Sequence, residues 1–475
     1  MRNGLRSRVS LAAASLALGC ALAAGCSDGI DPSAQVDEES GDGGVTPVID
    51  GSSGADGSRP PADASDDALA DAGDAASDGA ADASDGGDAG DASDASDAGD
   101  AEAGPPPCID VYDPNTIPTF ELTVDAAGMA VLASTAEADK KKWVHATFKS
   151  GTTVLADVGL RRKGSSTFRA IPQKAAFKIK FDKYVAGQRF ECLKELTLNN
   201  MTSDPTFLAE RLAYHVFRSA GLPAPKANTA AVSLNGDSYG IYSNVETPNE
   251  QFLDRVLGAG ASTLYEVQYG SEWLPGLEDG ADVQVGDDAR ADLTALYATV
   301  QSASSATLLA DVAGKLDTAA WLKHSAAEAA VGHYDGYAFG IWGSHNYYLA
   351  GDTAGVFRLV PWSTDLTFSD REGVVDAANP RPADPMAGGD TLLVRCKASP
   401  TCWTAYKDAV QAMLVKVESL DLVNLAKAWH AQIDALVVAD PKREATLGEY
   451  ASETQLLYAW IAARPGVVRA QLGLP

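Results

Sequence analysis

Residues 333–368 read His333-Tyr-Asp-Gly-Tyr-Ala-Phe-Gly-Ile-Trp-Gly-Ser-His-Asn-Tyr-Tyr-Leu-Ala-Gly-Asp-Thr-Ala-Gly-Val-Phe-Arg-Leu-Val-Pro-Trp-Ser-Thr-Asp-Leu-Thr-Phe368. Two short apolar runs, 345–350 and 356–360, flank Gly351-Asp-Thr-Ala-Gly355 and predict a strand pair joined by a turn. The stretch sets Asp335, Asn346 and Asp365 at the ends of short apolar elements. A carboxylate, an amide and a second carboxylate suit phosphoryl transfer. One carboxylate orients or deprotonates a hydroxyl, while the amide and the other carboxylate hold Mg²⁺ against phosphate oxygens. Asp and Asn in such places also simply cap backbone groups, and spacing alone leaves both readings open.

Outward from this hairpin, the second half of the chain is mostly helical. Segments 288–302, 307–316, 318–334, 402–417, 420–437 and 442–463 carry helical periodicity. The first half alternates strand and turn signals, with strands expected over 120–124, 143–148, 157–162, 176–181 and 196–198. Asp204-Pro205 then opens a helix that runs to about 219, with Asp204 as N-cap and Pro205 at the first helical position. Strands over 230–234 and 239–246 follow, joined by Asn235-Gly236, a hairpin signal. A sheet-rich first lobe, a helical second lobe and a hairpin with polar residues between helices predict a two-lobed α+β protein. Its N-lobe covers about 108–247 and its C-lobe about 248–475.

The chain carries a net charge of −28 over 475 residues, and most of that charge lies outside this globular part. Arg2, Arg6 and Arg8 precede an apolar run from Leu11 to Ala24 that ends Leu-Ala-Ala-Gly-Cys26. That is a signal-peptide pattern, too short for a stable span, and its end resembles a bacterial lipobox. Residues 1–25 are therefore expected to be a signal peptide and Cys26 the lipidated residue, with an ordinary secretory signal as the alternative. Residues 26–107, after this cysteine, consist largely of Asp, Ala, Gly and Ser and hold 22 acids against one base, Arg59. Low hydrophobicity and high charge predict a disordered, extended tether. The expected setting is the cell envelope, reached through a membrane lipid anchor. Ser27 after the cysteine leans toward the outer membrane, periplasmic or surface-exposed.

The remaining residues are only mildly acidic and show no basic stripe, which argues against nucleic acid as a partner. Cys108, Cys192, Cys396 and Cys402 form an even set in an exported chain, which suggests disulfides. The closeness of Cys396 and Cys402 favours a local staple, leaving Cys108 with Cys192. Zinc is the alternative, without a Cys-x-x-Cys pair to support it.

Several segments, taken in order, resemble the CotH family, which is related to an atypical protein-kinase fold. Val158-Gly-Leu-Arg-Arg-Lys-Gly-Ser-Ser-Thr167 is similar to the family's strand and Arg-Gly-Asn-Ser-Ser loop, with Lys163 for the arginine and Ser165 for the asparagine. Lys174-Ala-Ala-Phe-Lys-Ile-Lys-Phe181, Leu196-Thr-Leu-Asn-Asn200, Val232-Ser-Leu-Asn-Gly236 and Tyr239-Gly-Ile-Tyr242 follow. Asp335, His345-Asn-Tyr-Tyr-Leu349 and Pro361-Trp-Ser-Thr-Asp-Leu-Thr-Phe368 close the set. The family usually carries Trp-Asp-x-Asp after the proline; here Ser363 replaces the first Asp and only Asp365 remains.

The resemblance implies a kinase-like fold using ATP and Mg²⁺, with transfer to Ser or Thr of an envelope or secreted protein. It implies that Gly164, Ser165 and Ser166 approach phosphate, a single Gly-Ser-Ser otherwise marking an ordinary turn. Lys180 would pair with the α/β-phosphates. Either Glu210 would hold that lysine or Arg211 would touch phosphate. Glu246 would meet adenine or ribose, or else cap the next helix. Asp335 would be the base, and Asn346 and Asp365 the metal ligands; His333 and His345 are left as structural residues. Two rival readings stand beside this one. The first is a catalytically degenerate CotH-like surface assembly or binding protein. The second is a carbohydrate-binding or adhesion lipoprotein using Tyr269, Trp273 and Trp342.

Overall fold

The computed structural model describes residues 108–267, 281–287, 289–369, 375–381 and 391–475, all within one compact unit. The signal peptide, the Cys26 lipidation site, the tether, Tyr269 and Trp273 lie outside the described residues.

The alternating segments of the first half become β1 (Thr119–Thr123), β2 (Val144–Ser150), β3 (Thr153–Lys163), β4 (Ala176–Lys180), β5 (Glu195–Asn199), β6 (Ala227–Leu234) and β7 (Asp237–Val245). Helix α1 (Ala126–Ala133) follows β1, and α2 (Ala209–Ser219) lies between β5 and β6. The strands form a closed barrel in the order β1-β2-β3-β4-β5-β7-β6. Its seam is the parallel pairing of β1 with β6. Asn235 and Gly236 both have positive φ, 52° and 87°, as a primed hairpin turn requires. The Asn235 amide also accepts from Val124 N–H at 2.8 Å and donates to Val124 C=O at 2.9 Å, which pins the end of β1 at the seam. Alternate side chains such as Phe120, Phe148, Phe177, Ile179, Leu196 and Leu198 fill the barrel interior. The other face of β3, β4 and β5 carries Lys163, Lys178, Lys180 and Asn199, as the two-residue strand period dictates.

The second half contributes α3 (Glu250–Leu257), β8 (Thr263–Val267), β9 (Ala281–Val285), α4 (Ala291–Ser302), α5 (Leu308–Val312) and α6 (Thr318–Val331). Then come β10 (Tyr347–Gly351), β11 (Phe357–Pro361), α7 (Leu392–Lys397), α8 (Pro400–Ser419), α9 (Leu422–Ala439) and α10 (Leu447–Leu472). The β10–β11 hairpin forms as expected but is not alone: β8 and β9 extend it to a four-stranded sheet, order β11-β10-β8-β9. Buried residues of this sheet and the helices form a second core, which also takes in α2 and the outer residues Ile241 and Val245 of β7. The protein is thus a mixed α+β structure with α2 packed between barrel and helices.

Helix α2 starts later than its sequence suggests. Phe207 has φ of 60°, so 204–208 form a turn instead of a first helical turn. Asp204 still caps the helix, from five residues upstream: its carboxylate accepts from Ala209 N–H at 2.8 Å and Thr206 N–H at 2.9 Å.

Among the described residues two disulfides are present, Cys108–Cys192 and Cys396–Cys402, with Cα separations of 5.9 and 5.1 Å. A third fastening is ionic. Lys174 Nζ meets Asp440 Oδ2 at 2.5 Å, with side chains only 1% and 0% exposed. Asp440 also accepts from the backbone N–H groups of Ile241 and Lys442 at 3.1 and 2.8 Å, so neither charge is left unsatisfied. Arg169 pairs with Glu444 through two hydrogen bonds, and Lys442 Nζ donates to Pro172 C=O at 2.8 Å. The β3–β4 connection is therefore tied to the turn between α9 and α10.

Candidate functional site

The end of β3 meets the helical half at a narrow cleft lined by Lys163, Gly164, Asn199, Glu210, Trp362 and Asp365, among others. Lys163 Nζ donates to Asn199 Oδ1 at 2.8 Å. The Asn199 amide donates in turn to both Glu210 carboxylate oxygens, at 2.8 and 3.1 Å. The chain lysine–amide–glutamate fixes α2 against the barrel. Burial raises the Glu210 carboxyl above its ordinary range, and the Asn199 hydrogen bond and the nearby Lys163 charge oppose that rise. Gly164 has φ of 95°, and a Cβ there would sit 2.7 Å from Thr167 Oγ1, so the turn after Lys163 requires glycine. The Asn200 amide holds that turn by donating to Thr167 C=O at 2.9 Å.

Across the cleft, Trp362 N–H donates to Asn346 C=O at 3.0 Å, which carries the β10–β11 ladder one residue further. Asn346 and Ser363 both have positive φ, 55° and 45°, and these bends end the two strands at the cleft. The Asn346 amide nitrogen donates to both Asp335 C=O and Asp335 Oδ2, at 2.9 and 2.8 Å. Two acceptors fix the orientation of the amide, since a flipped group would set oxygen against oxygen. Asn346 Oδ1 therefore faces away from Asp335, buried and without a hydrogen-bond partner.

The other Asp335 oxygen lies 2.7 Å from His345 Nε2, while His345 Nδ1 lies 2.8 Å from Gly343 C=O. A carbonyl only accepts, so Nδ1 carries a hydrogen. Asp365 Oδ1 accepts from the Ser363 hydroxyl at 3.1 Å.

The loop bearing Asp335 is held from beneath by Glu328 of α6. Its fully buried carboxylate accepts from Tyr337 N–H at 2.8 Å and Ala338 N–H at 2.7 Å. His324 and His333 approach the same group at 3.4 and 3.6 Å. Burial pushes the Glu328 carboxyl up, but the contacts with His324 and His333 outweigh this and bring it to about 2. Both imidazole contacts are long for hydrogen bonds, so the two backbone amides are the closer anchors of the anion. A Cβ on Gly336 would lie 2.3 Å from His333 Nδ1 and 2.5 Å from Glu328 Oε1; the loop closes over this cluster only with glycine.

The structure thus brings Asp335 into contact with Asn346, and sets Asp365 in a cleft with Gly164 and Glu210. It does not bring the other expected residues there. Lys180 lies opposite Gly159 and Glu195, whereas Lys163 lies opposite Ala176. Four residues of strand, about 13 Å, separate Lys180 from the cleft end of β4. Lys163 stands where Lys180 was expected, because β3 rather than β4 points its last residue at α2. Arg211 faces away on α2, stacked 3.9 Å over Trp429 and donating to Gln432 Oε1 at 3.0 Å and Pro114 C=O at 2.5 Å. Burial lowers its guanidinium to about 9. Glu246 pairs with Arg255 and lines a separate cavity beside Cys108 and Lys226. Ser165 and Ser166 sit on the turn outside the cleft lining. Trp342 packs against the helical core near Tyr334.

His345, Asn199, Lys163 and Glu328 were not assigned these roles from sequence. For Glu328 a signal existed: a lone acid within His324-Ser-Ala-Ala-Glu-Ala-Ala-Val331, an otherwise apolar helix end.

The fold is mixed α+β, with Asp335 and Asn346 in contact and Asp365 in the cleft at the Lys163 end of β3. The family model described as CotH kinase protein matches residues 160–468, and the chain belongs to the CotH family. It is similar to the inner spore coat protein H of Bacillus subtilis (strain 168), 23% identical over 300 residues covering 60% of this chain and 80% of that protein. An inner spore coat protein H-like protein of the same organism is 36% identical over 80 residues, 17% of this chain and 24% of its own length. Among solved structures, a chain of the Shewanella oneidensis MR-1 toxin–antitoxin complex of HipA, HipB and operator DNA pairs with 72% of this chain and 67% of its own. Its identity is 12% and its TM-score 0.27, too low to bear on fold or mechanism.

Among the described residues no group of three or more His, Cys, Asp or Glu side chains is arranged to hold a metal ion. An amide-plus-carboxylate pair is a different donor set. Asn346 Oδ1 is a buried acceptor without a partner, Asp365 is a hard oxygen donor in the cleft, and both suit Mg²⁺.

Proposed function

We propose that this protein is an exported, two-lobed protein kinase that transfers the γ-phosphoryl group of ATP to a Ser or Thr hydroxyl. The observation that carries the reading is the cleft joining Lys163, Asn199 and Glu210 on one side to Asp365 on the other. Asn346 and Asp335 are in mutual contact one ladder step from Trp362. Lys163, held by Asn199, would meet the phosphates as a point charge. Asn346 Oδ1 and Asp365 would hold Mg²⁺, which neutralises charge on phosphate oxygens when bound.

Asp335 orients the acceptor hydroxyl. As its oxygen bonds to the γ-phosphorus, the bond from that phosphorus to the bridging oxygen breaks and ADP leaves. The hydroxyl proton passes to Asp335, whose other partner, His345, steadies the carboxylate. The family description and the export signal read at residues 1–26 support an envelope or secreted protein as acceptor. A lipid anchor at Cys26, with the acidic segment as tether, completes this reading.

One observation favours a second reading, a binding protein that has lost transfer. The cleft as it stands offers about 20 Å³ of free space, room for about one water, and Ser363 engages Asp365 where the family carries another acid. Titrating the full chain with ATP in the presence and absence of Mg²⁺, beside Asp365→Ala, tests both. Mg²⁺-dependent binding that the substitution abolishes is expected. No binding by the unsubstituted chain would end the nucleotide reading, and binding with no transfer to any Ser-containing protein would favour the second.

A further inference from the structure

The Lys163 cleft offers about 20 Å³ of free space, far below the roughly 300–1,000 Å³ of ligand pockets. A triphosphate enters only if one wall moves. One wall runs from Trp362 to Asp365. Trp362 and Thr364 are buried, and Trp362 belongs to the larger core, edge-on to Tyr348 at 5.5 Å. The Thr364 hydroxyl donates to Glu210 C=O at 3.4 Å. Moving this wall would unpack the core. The other wall holds Lys163, Gly164 and Thr167, where β3 runs into its connection with β4, residues 164–175. Residues 163–170 are all half-buried or exposed, the setting in which local opening costs least. The wall free to move is therefore this connection.

Its two ends are fastened differently. At the β4 end Lys174 and Asp440 form a buried pair, and the Asn200 amide donates to Lys174 C=O at 2.9 Å. At the cleft end the grip is Arg169. Its Nη1 donates to Phe168 C=O at 3.0 Å and Ser166 C=O at 3.4 Å, within the connection. Its Nε and Nη2 donate to the two Glu444 carboxylate oxygens at 2.7 and 3.0 Å. Glu444 stands on the turn between α9 and α10, so one guanidinium joins the backbone beside the cleft to the helical half. The two side chains are 27% and 37% exposed, open to water and salt, whereas those of Lys174 and Asp440 are not.

We propose that the Arg169–Glu444 pair is a latch that holds the β3–β4 connection down over the Lys163 cleft. When it releases, the connection lifts from its cleft end, with Lys174–Asp440 as the fixed end, and the cleft opens. The nucleotide as the entering ligand rests on the kinase reading; the latch itself rests on the contacts above. A two-bond guanidinium–carboxylate pair is strong enough to favour the closed form. An exposed pair is also weak enough to leave the open form accessible, and salt screens it. Opening is therefore sensitive to ionic strength.

Hydrogen exchange of the full chain without nucleotide, read over residues 164–168, compares the unsubstituted protein with Arg169→Gln and Glu444→Ala. Both variants are expected to exchange about threefold or more faster there. Raising salt from about 0.05 to about 0.5 M should speed exchange in the unsubstituted chain and leave the variants nearly unchanged. Glu418→Ala removes a matching two-bond pair, Arg469 with Glu418 between α10 and α8, and should not alter exchange at 164–168. Stopped-flow association of Mg²⁺·ATP should be about threefold or more faster in both latch variants. Unchanged exchange in both, or an equal rise in Glu418→Ala, overturns the latch. Faster exchange with no gain in ATP association, in a chain that binds ATP, overturns the opening of the cleft. Faster exchange in both latch variants of a chain that binds no ATP upholds the latch and removes the nucleotide reading.

Discussion

Replacing Glu328 by Gln tests how the Asp335 loop is held. The carboxylate accepts from two backbone N–H groups, at 2.8 and 2.7 Å, and a carboxamide oxygen can accept both only by turning its NH₂ into His324 or His333. One buried donor loses its partner, at about 1–3 kcal/mol, and the charge-assisted strength of the other bond is lost as well. The pH dependence gives an independent figure. With the Glu328 carboxyl lowered from 4.5 to about 2, the folded state holds the anion more tightly than the unfolded chain does. The stabilisation is fully present above pH 4.5 and is lost as pH falls toward 2. A difference of this size corresponds to about 3 kcal/mol. Thermal unfolding of both proteins at a series of pH values from 7 to 3 reads both quantities. The variant should melt roughly 3–5 °C lower at pH 7, and the gap should narrow as pH falls through the carboxylate range. A gap that stays constant with pH, or a variant that melts with the wild type at pH 7, would refute the assignment of Glu328 as a buried anion anchoring this loop.

Lys163→Met should weaken Mg²⁺·ATP binding about 10–100-fold, the scale of a hydrogen bond to a charged group, while Lys180→Met, a strand length away, should change it less than about threefold; isothermal titration distinguishes them, and the reverse order would return the phosphate role to Lys180. Lys174→Met leaves Asp440 buried and unpaired and should cost about 3–5 kcal/mol in chemical denaturation, whereas the double variant Lys174→Met with Asp440→Leu should recover at least half of that loss; equal losses would mean the pair contributes through packing alone.

How much the sequence disclosed depended on how local each signal was. Two-residue alternation and the Asn235-Gly236 turn located the barrel strands and the β6–β7 hairpin, because both act between neighbours. The seam between β1 and β6 joins segments about a hundred residues apart in parallel, and such pairing leaves no turn signal to read. Strand β8 escaped for another reason: Thr263-Leu-Tyr-Glu-Val267 is buried along nearly its whole length, so it lacks a polar alternate face. At the site, the order Asp335, Asn346, Asp365 was legible, and the first two are in contact. Strand period put Lys178 and Lys180 on one face but said nothing of Lys163 or of which end meets Glu210. That depends on where α2 begins, and Asp204 delays its start by a turn that Asp-Pro resembles closely in sequence. His345 looked structural because a single histidine in an apolar stretch usually is; only the fold shows it against Asp335.

The barrel seam also dictates where this protein can be cut. The family match begins at residue 160, inside β3, so a fragment designed to that boundary would lack β1, β2 and most of β3. It would expose Phe181 and Phe190 where Phe120 and Phe148 now cover them, and would leave the remnant of β3 and β6 as open edges prone to pairing with other chains. It would also lose the mate of Cys192, leaving a free thiol. An expression fragment should instead begin upstream of Cys108, so that the seam closes and the first disulfide keeps both halves.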